Sequence, residues 1–281
     1  MNAALTVERH PDADAFLAAA ESWLLEAEAE NNLLLGVALN ARGKTSADTP
    51  PYWASVRQGG EIVGSACRTP PYPLLLARLP TAAIPALVDD ASAAYPSLEG
   101  VSGPKTAAEA FANAWVARRG GTWNTRFRMR LHELTRMSFA GPWPPGVLRK
   151  ATDADLPLAL EWTDEFVRDA GVPPMAANLT EQRIARGQLY FWVDGEHARA
   201  MVAWGRETPA GCAINTVYTP AAFRRRGYAT AAVATLTQTL LEAGRRFCCL
   251  YTDLANPTSN SIYAKIGYRP IRGDVEIAFD A

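Results

Sequence analysis

Asn215-Thr216-Val217-Tyr218-Thr219-Pro220, Phe223-Arg224-Arg225-Arg226-Gly227-Tyr228-Ala229-Thr230 and Asn256-Pro257-Thr258-Ser259-Asn260-Ser261-Ile262-Tyr263-Ala264-Lys265-Ile266-Gly267-Tyr268 lie within one continuous stretch of this 281-residue chain. The apolar run closing at Val217 and Tyr218 reads as a strand that Thr219-Pro220 stops. The Arg/Gly turn then leads into Ala231-Ala232-Val233-Ala234-Thr235-Leu236, a helix running to Gly244. Phe247 to Thr252 is a short apolar run that suits a buried strand. A strand–helix–strand unit of this length implies parallel strands joined by a right-handed crossover. Asn256-Pro257 starts a turn, Ser259 to Lys265 fits a short helix, and Gly267 caps it.

The turn has the composition of an anion site. At a helix start the first N–H groups lack partners inside the helix, and the dipole adds partial positive charge. Gly227 and Ala229 let backbone approach a bulky anion, and Arg224, Arg225 and Arg226 add charge. An isolated Arg-x-x-Gly-x-Ala is more often an ordinary turn with solvated arginines. Here the following strand, Asn-Pro turn and short helix give it a context.

With Asn256 seven residues before Tyr263 and a Lys-Ile-Gly-Tyr ending, this pattern resembles the acetyl-CoA site of the GNAT (Gcn5-related) N-acetyltransferase superfamily. The resemblance spans roughly residues 147–281, its specific motifs residues 214–268. It implies that backbone N–H groups of Arg225, Arg226, Gly227, Tyr228 and Ala229, with Thr230, hold the CoA pyrophosphate. It implies that Val217, Tyr218 and Thr219 pair with the pantetheine amides as an extra strand would, and that Asn256 and Tyr263 contact the pantetheine and thiol end. Arg224 stands where many members carry Gln, a position that often faces the phosphates. Tyr263 is the catalytic candidate, because a phenol can protonate the thiolate that leaves when an amine attacks a thioester. Glu161, Glu165, Asp169, Glu207 and His197 lie in the same half, but no motif selects a general base among them.

Composition bounds the class. An apolar share of 48%, a charged share of 20% and a net charge of −1 describe a globular protein without the basic excess that nucleic-acid binding uses. Four cysteines, Cys67, Cys212, Cys248 and Cys249, lack metal spacing and read as small core residues of a reducing compartment. Three histidines form no cluster, so no metal is expected. Met1 to Asp14 has no apolar signal core, and the longest uncharged stretch, Thr208 to Phe223, is too short to span a membrane. The expectation is a cytoplasmic protein, monomer or homodimer, with no membrane or nucleic-acid partner.

Working outward, Met137 to Gly146 holds three prolines and marks the boundary between halves, 1–140 and 147–281. In the second half, Val147-Leu148-Arg149 reads as a strand, Thr152 caps a helix through Arg168, Glu181 to Arg186 is another helix, and Tyr190 to Arg206 is a hairpin about Asp194-Gly195. In the first half, apolar spacing from Asp12 predicts two helices to about Asn40. A Gly59-Gly60 hairpin follows, then a strand at Pro73–Leu79, a helix at Ala82–Ala94, a strand at Leu98–Ser102, a helix at Thr106–Arg119 and a long strand at Thr122–Leu134. The two halves share their order of elements without evident identity. The fold class expected is α/β (α+β): two GNAT-like domains, each a mixed twisted sheet flanked by helices. The first-half counterpart of the phosphate turn, Leu79-Pro80-Thr81-Ala82-Ala83-Ile84-Pro85, has no glycine and loses two N–H donors to proline, so it is expected to be degenerate.

The resemblance thus implies an enzyme that moves an acetyl group from acetyl-CoA, a co-substrate, to an unidentified primary amine. Trp162, Phe166, Tyr190 and Trp192 are candidate walls for that amine, though large aromatics are more often core. The alternative is a non-catalytic acyl-CoA sensor or interaction protein that keeps the fold. Retention of the Asn256 and Tyr263 pair beside the turn argues against it.

Overall fold

A computed structural model describes residues 4–44, 49–139, 141–176 and 178–280. The chain forms two compact units, each discontinuous in sequence. Unit 1 comprises Met1–His132, Tyr251–Pro257 and Pro270–Ala281, and unit 2 comprises Glu133–Leu250 and Thr258–Arg269.

In unit 1 the elements run β1 (Leu5–His10), α1 (Ala13–Leu25), α2 (Glu28–Ala41), β2 (Tyr52–Gln58), β3 (Glu61–Arg68), β4 (Leu74–Leu76), α3 (Ile84–Ala94), β5 (Gly100–Pro104), α4 (Lys105–Arg119) and β6 (Thr122–Leu134). A last strand, β12 (Arg269–Asp280), lies between β5 and β6, giving the order β1-β2-β3-β4-β5-β12-β6. β4 and β5 are parallel, whereas β1–β2, β2–β3, β3–β4 and β5–β12 are antiparallel. Side chains alternate across a strand, so β2 feeds two cores. Tyr52, Ala54 and Val56 pack with Leu87 of α3, Phe111 and Trp115 of α4 and Ile277 of β12. Trp53, on the other face, packs with Phe16, Leu24 and Leu35 of α1 and α2. A cleft of about 650 Å³ opens on this second face. Its floor is one cross-strand row, Trp53, Cys67, Leu75, Ser102 and Glu276, in which each residue pairs with the next.

Unit 2 repeats the theme with β7 (Val147–Lys150), α5 (Leu156–Ala170), α6 (Leu179–Ala185), β8 (Leu189–Asp194), β9 (His197–Gly205), β10 (Gly211–Tyr218), α7 (Tyr228–Glu242), β11 (Phe247–Asp253) and α8 (Pro257–Ile266). Residues 247–250 of β11 fall in this unit. The strand order is β7-β8-β9-β10-β11, antiparallel until the parallel pair β10–β11. The α7 side of the sheet buries Tyr228, Ala231 and Leu236 against Val202, Ile214 and Leu250. On the other side, Trp162 of α5 and Ile184 of α6 pack on Phe191, Met201 and Tyr218.

The second-half elements lie where their sequence signals place them, within a few residues. Thr152 caps as expected, through a box in which Asp155 accepts from the Thr152 N–H at 2.8 Å, and a 3-10 turn at Asp153–Asp155 precedes α5. Two strands lie outside the expected set. β1 carries no clear signal, because it is a short, half-exposed stretch with only Leu5 and Val7 apolar, running into Glu8, Arg9 and His10 ahead of the helical periodicity. β12 is the other, although Val275, Ile277 and Phe279 alternate as a strand should. Charged residues and Gly273 interrupt its apolar run. The strand expected over Pro73–Leu79 shortens to Leu74–Leu76, pairing being confined between Pro73 and the turn at Pro80. At the first-half helix start, Pro85 occupies the first turn of α3, removing an N–H there.

Candidate functional site

The candidate site is built from unit 2. Its strand, β10, pairs in parallel with β11 over Gly211–Ala213 and Phe247–Cys249, and this register does not continue along Asn215–Tyr218. On its other edge the register with β9 shifts between Asn215 and Tyr218, a bulge in which Thr216 takes φ +47°. A β-branched residue at positive φ is strained, so the surrounding structure holds this kink in place. Val217 follows the bulge, and Tyr218 ends the strand. Backbone that leaves its neighbouring strand can pair with an extended ligand instead.

After Thr219, Pro220 and a 3-10 turn at Ala221–Phe223 carry the chain to the helix start. Arg225 has φ +62° and Gly227, the N-cap of α7, has φ +85°. Positive φ at alternate residues is the backbone shape that gathers N–H groups into an anion-binding concavity. Arg224, Arg225, Arg226 and Gly227 are exposed, and Ala229 and Thr230 are half-buried. The intrahelical ladder begins with the Ala231 N–H donating to the Gly227 carbonyl, so the N–H groups before it have no acceptor inside the helix. A Cβ on Gly227 would meet nothing closer than Pro144 Cδ at 3.8 Å, so the concavity has space. Thr219 Oγ1 is buried and finds no hydrogen-bond partner among the described residues.

Two of the predicted side chains have other roles. Arg224 donates through Nε to the Thr219 carbonyl at 2.9 Å and forms an ion pair with Asp169, which ties its guanidinium to the strand end instead of the concavity. The Tyr228 hydroxyl donates to Asp194 at 3.0 Å, and Arg199, lying over the Phe223 ring at 4.6 Å, braces the turn from behind. A ligand at the turn would therefore meet Tyr228 through its backbone. Arg225 and Arg226 are the exposed cations beside it.

Tyr263, on α8, is buried among Tyr228, Leu236, Ile266 and Tyr268, with its ring edge-on to Tyr268 at 5.9 Å. Burial holds its phenol well above the usual tyrosine range, so at neutral pH it carries its proton. Gly267 takes φ +116° and closes α8 as expected. Asn256 lies in the 251–257 segment, which groups with unit 1, and its N–H donates to the Asp253 carbonyl at 3.0 Å.

Most of the base candidates are engaged. Glu165 accepts from the Tyr218 hydroxyl at 2.8 Å, Asp169 pairs with Arg224, and Glu207 pairs with Arg245. Burial first, then the bond to Glu165, pushes the Tyr218 phenol up to about 12. Trp162 and Trp192 are core residues, and Phe166 and Tyr190 pack against the same cores, so these aromatics serve as scaffold. Sequence reading missed Arg183 of α6, whose Nη1 donates to Thr216 Oγ1 at 2.8 Å in the bulge. A lone arginine in a short helix carries no motif, and its burial shows only in three dimensions.

Set beside known proteins, residues 193–276 match the family model described as FR47-like protein. No curated protein matches the sequence. Among solved structures, a GCN5-related N-acetyltransferase from Sphaerobacter thermophilus is similar at 17% identity with a TM-score of 0.60, over 98% of this chain and 95% of that one. A tandem GNAT protein from the clavulanic acid biosynthesis pathway is similar at 13% identity and TM-score 0.56, over 98% of both chains. The chain has the tandem GNAT fold. A Drosophila protein of solved structure also aligns over 99% of both chains, at 10% identity and a TM-score of 0.67. At these identities the likeness describes the fold, and chemistry has to be argued from the site. Among the described residues no helix is long and apolar enough to cross a membrane, and no group of His, Cys, Asp or Glu could hold a metal ion. All four cysteines are free and buried.

Proposed function

We propose that the protein is an N-acetyltransferase that takes acetyl-CoA as co-substrate and passes the acetyl group to a primary amine. The observation carrying this reading is the start of α7: an exposed concavity with positive φ at Arg225 and Gly227, directly after a strand released from its partner. The pyrophosphate would rest on N–H groups between Arg225 and Thr230, with Arg225 and Arg226 adding charge. The pantetheine arm would run along Val217, Tyr218 and Thr219. Asn256 is assigned to the arm by the resemblance alone.

The amine nitrogen attacks the thioester carbonyl, a C–N bond forms, the C–S bond breaks, and sulfur leaves as thiolate. The ammonium first gives one proton to water, Tyr263 supplies the proton that converts thiolate to thiol, and the second proton lost from nitrogen as the amide forms returns through water to the Tyr263 phenolate. In this reading the enzyme works in the cytoplasm, as a monomer or homodimer, with neither metal nor nucleic acid.

The test is the melting temperature with and without acetyl-CoA, for the natural protein and for Gly227→Glu. Ligand at 100 times its Kd stabilises by about 2.7 kcal/mol, a shift of several degrees. The natural protein is expected to shift and the folded variant not to, since its carboxylate fills the concavity. No shift in the natural protein would favour the interaction-protein reading.

A further inference from the structure

α6 lies on the face of the unit 2 sheet opposite α7, and its Arg183 side chain reaches the bulge of β10. Arg183 is 9% exposed. Its Nη1 donates to Thr216 Oγ1 at 2.8 Å and lies 3.7 Å from Met175 Sδ, and neither group is an anion. No carboxylate among the described residues lies within ion-pair distance of it. Glu165, on the adjoining helix α5, accepts from Tyr218 instead. The charge acting on Arg183 comes from Arg206, a second cation, and burial together with that repulsion lowers its pKa to about 10, still protonated at neutral pH. A buried charge without a counter-ion is costly and is kept where something compensates it in use. Its place is specific: Thr216 is the positive-φ residue at the kink where β10 turns away from regular pairing.

We propose that Arg183 receives an anionic group of the acceptor, so that the amine acetylated here also carries a carboxylate. This rests on the acetyltransferase reading for the transfer step, while the anion site stands on Arg183 and Thr216 themselves. A guanidinium presents paired N–H donors that match the two oxygens of a carboxylate. With that carboxylate on Arg183, the amine of an amino-acid-like acceptor is held a few bonds away, beside the stretch of β10 that offers itself to the pantetheine arm. The class implied is an amino acid or a small amino-acid derivative with a free carboxylate. Simple alkylamines and amides lack the group that Arg183 would hold.

The experiment uses the full chain in two assays. Acetyl-CoA turnover, read by thiol release, is compared for phenylalanine, glutamate and lysine, for their C-terminal amides, and for aminoethyl phosphate. Melting temperature is measured with the same compounds in the absence of acetyl-CoA. The natural protein is expected to favour acids over their amides at least tenfold in kcat/KM and to be stabilised by the acids. Arg183→Gln should bring that ratio close to one while leaving the KM for acetyl-CoA unchanged, and Arg183→Lys should restore part of the preference. Equal treatment of acids and amides by the natural protein in both assays overturns the proposal. So does an equal loss for both classes in Arg183→Gln, which marks a structural role, and so does a preference for aminoethyl phosphate over every carboxylate. Stabilisation by the acids, lost in Arg183→Gln, without any shift on adding acetyl-CoA supports the anion site and tells against the transferase reading alone.

Discussion

Under the proposed mechanism, Tyr263 gives its proton from a core position. It is 8% exposed, and burial raises its pKa, so the phenol carries its proton at neutral pH. Tyr263→Phe removes the hydroxyl and leaves the ring packed on Tyr268, so stability should change little. Turnover is expected to fall about 100-fold, the scale of a lost general acid, with acetyl-CoA affinity within about twofold. Steady-state kinetics beside a binding titration checks this, and equal turnover removes Tyr263 from the mechanism. Motif spacing alone nominates this residue in the sequence. Arg224 is legible there as a cation at the turn but not in its bonding, because Asp169 lies 55 residues earlier in the chain.

Among the elements, α7 and its turn are readable because Gly227 and the small residues after it leave few alternatives. Thr216 is not, although Asn215-Thr216 is a polar pair inside an apolar strand, and such a pair marks a place where pairing breaks. The start of α5 gives a separate test. Arg149 grips Asp155 with both Nη atoms, at 2.7 and 2.8 Å, and the Thr152 N–H and hydroxyl donate to the same carboxylate. The Arg149 bond first, then those from Thr152, holds Asp155 well below the usual carboxylate range. A carboxylate with a depressed pKa contributes stability that is complete above its unfolded value near 4 and fades as pH falls below it. Asp155→Asn should therefore cost about 1–2 kcal/mol at pH 7. The difference between variant and natural protein should narrow as urea unfolding is repeated from pH 4 towards pH 2. A difference that stays constant over that range would exclude the ionised cap as its origin.

At the scale of the whole molecule, the linear division near Met137–Gly146 describes how the sequence changes character, while the compact units follow a different partition. Val275 and Ile277 of β12 are buried with the unit 1 core, at 2% and 0% exposure. Removing residues 270–281 should therefore unfold unit 1, since two buried aliphatic side chains alone contribute about 1.5–3 kcal/mol each. Limited proteolysis of the truncated chain should cut first within residues 1–132, and protection there equal to the full chain would refute the expectation. The sequence could not announce this, because β12 carries its alternation but nothing in it names the strand it will join.

The same strand bears on biosynthesis. Domains of a growing polypeptide usually fold in order of emergence, the N-terminal one first. Here unit 1 waits between β5 and β6 for a strand that follows every other element described above, so its gap stays open while unit 2 is being made. Until residues 270–280 leave the ribosome, the exposed edges of β5 and β6 are places where a nascent chain can be captured by a chaperone or pair wrongly with a neighbour.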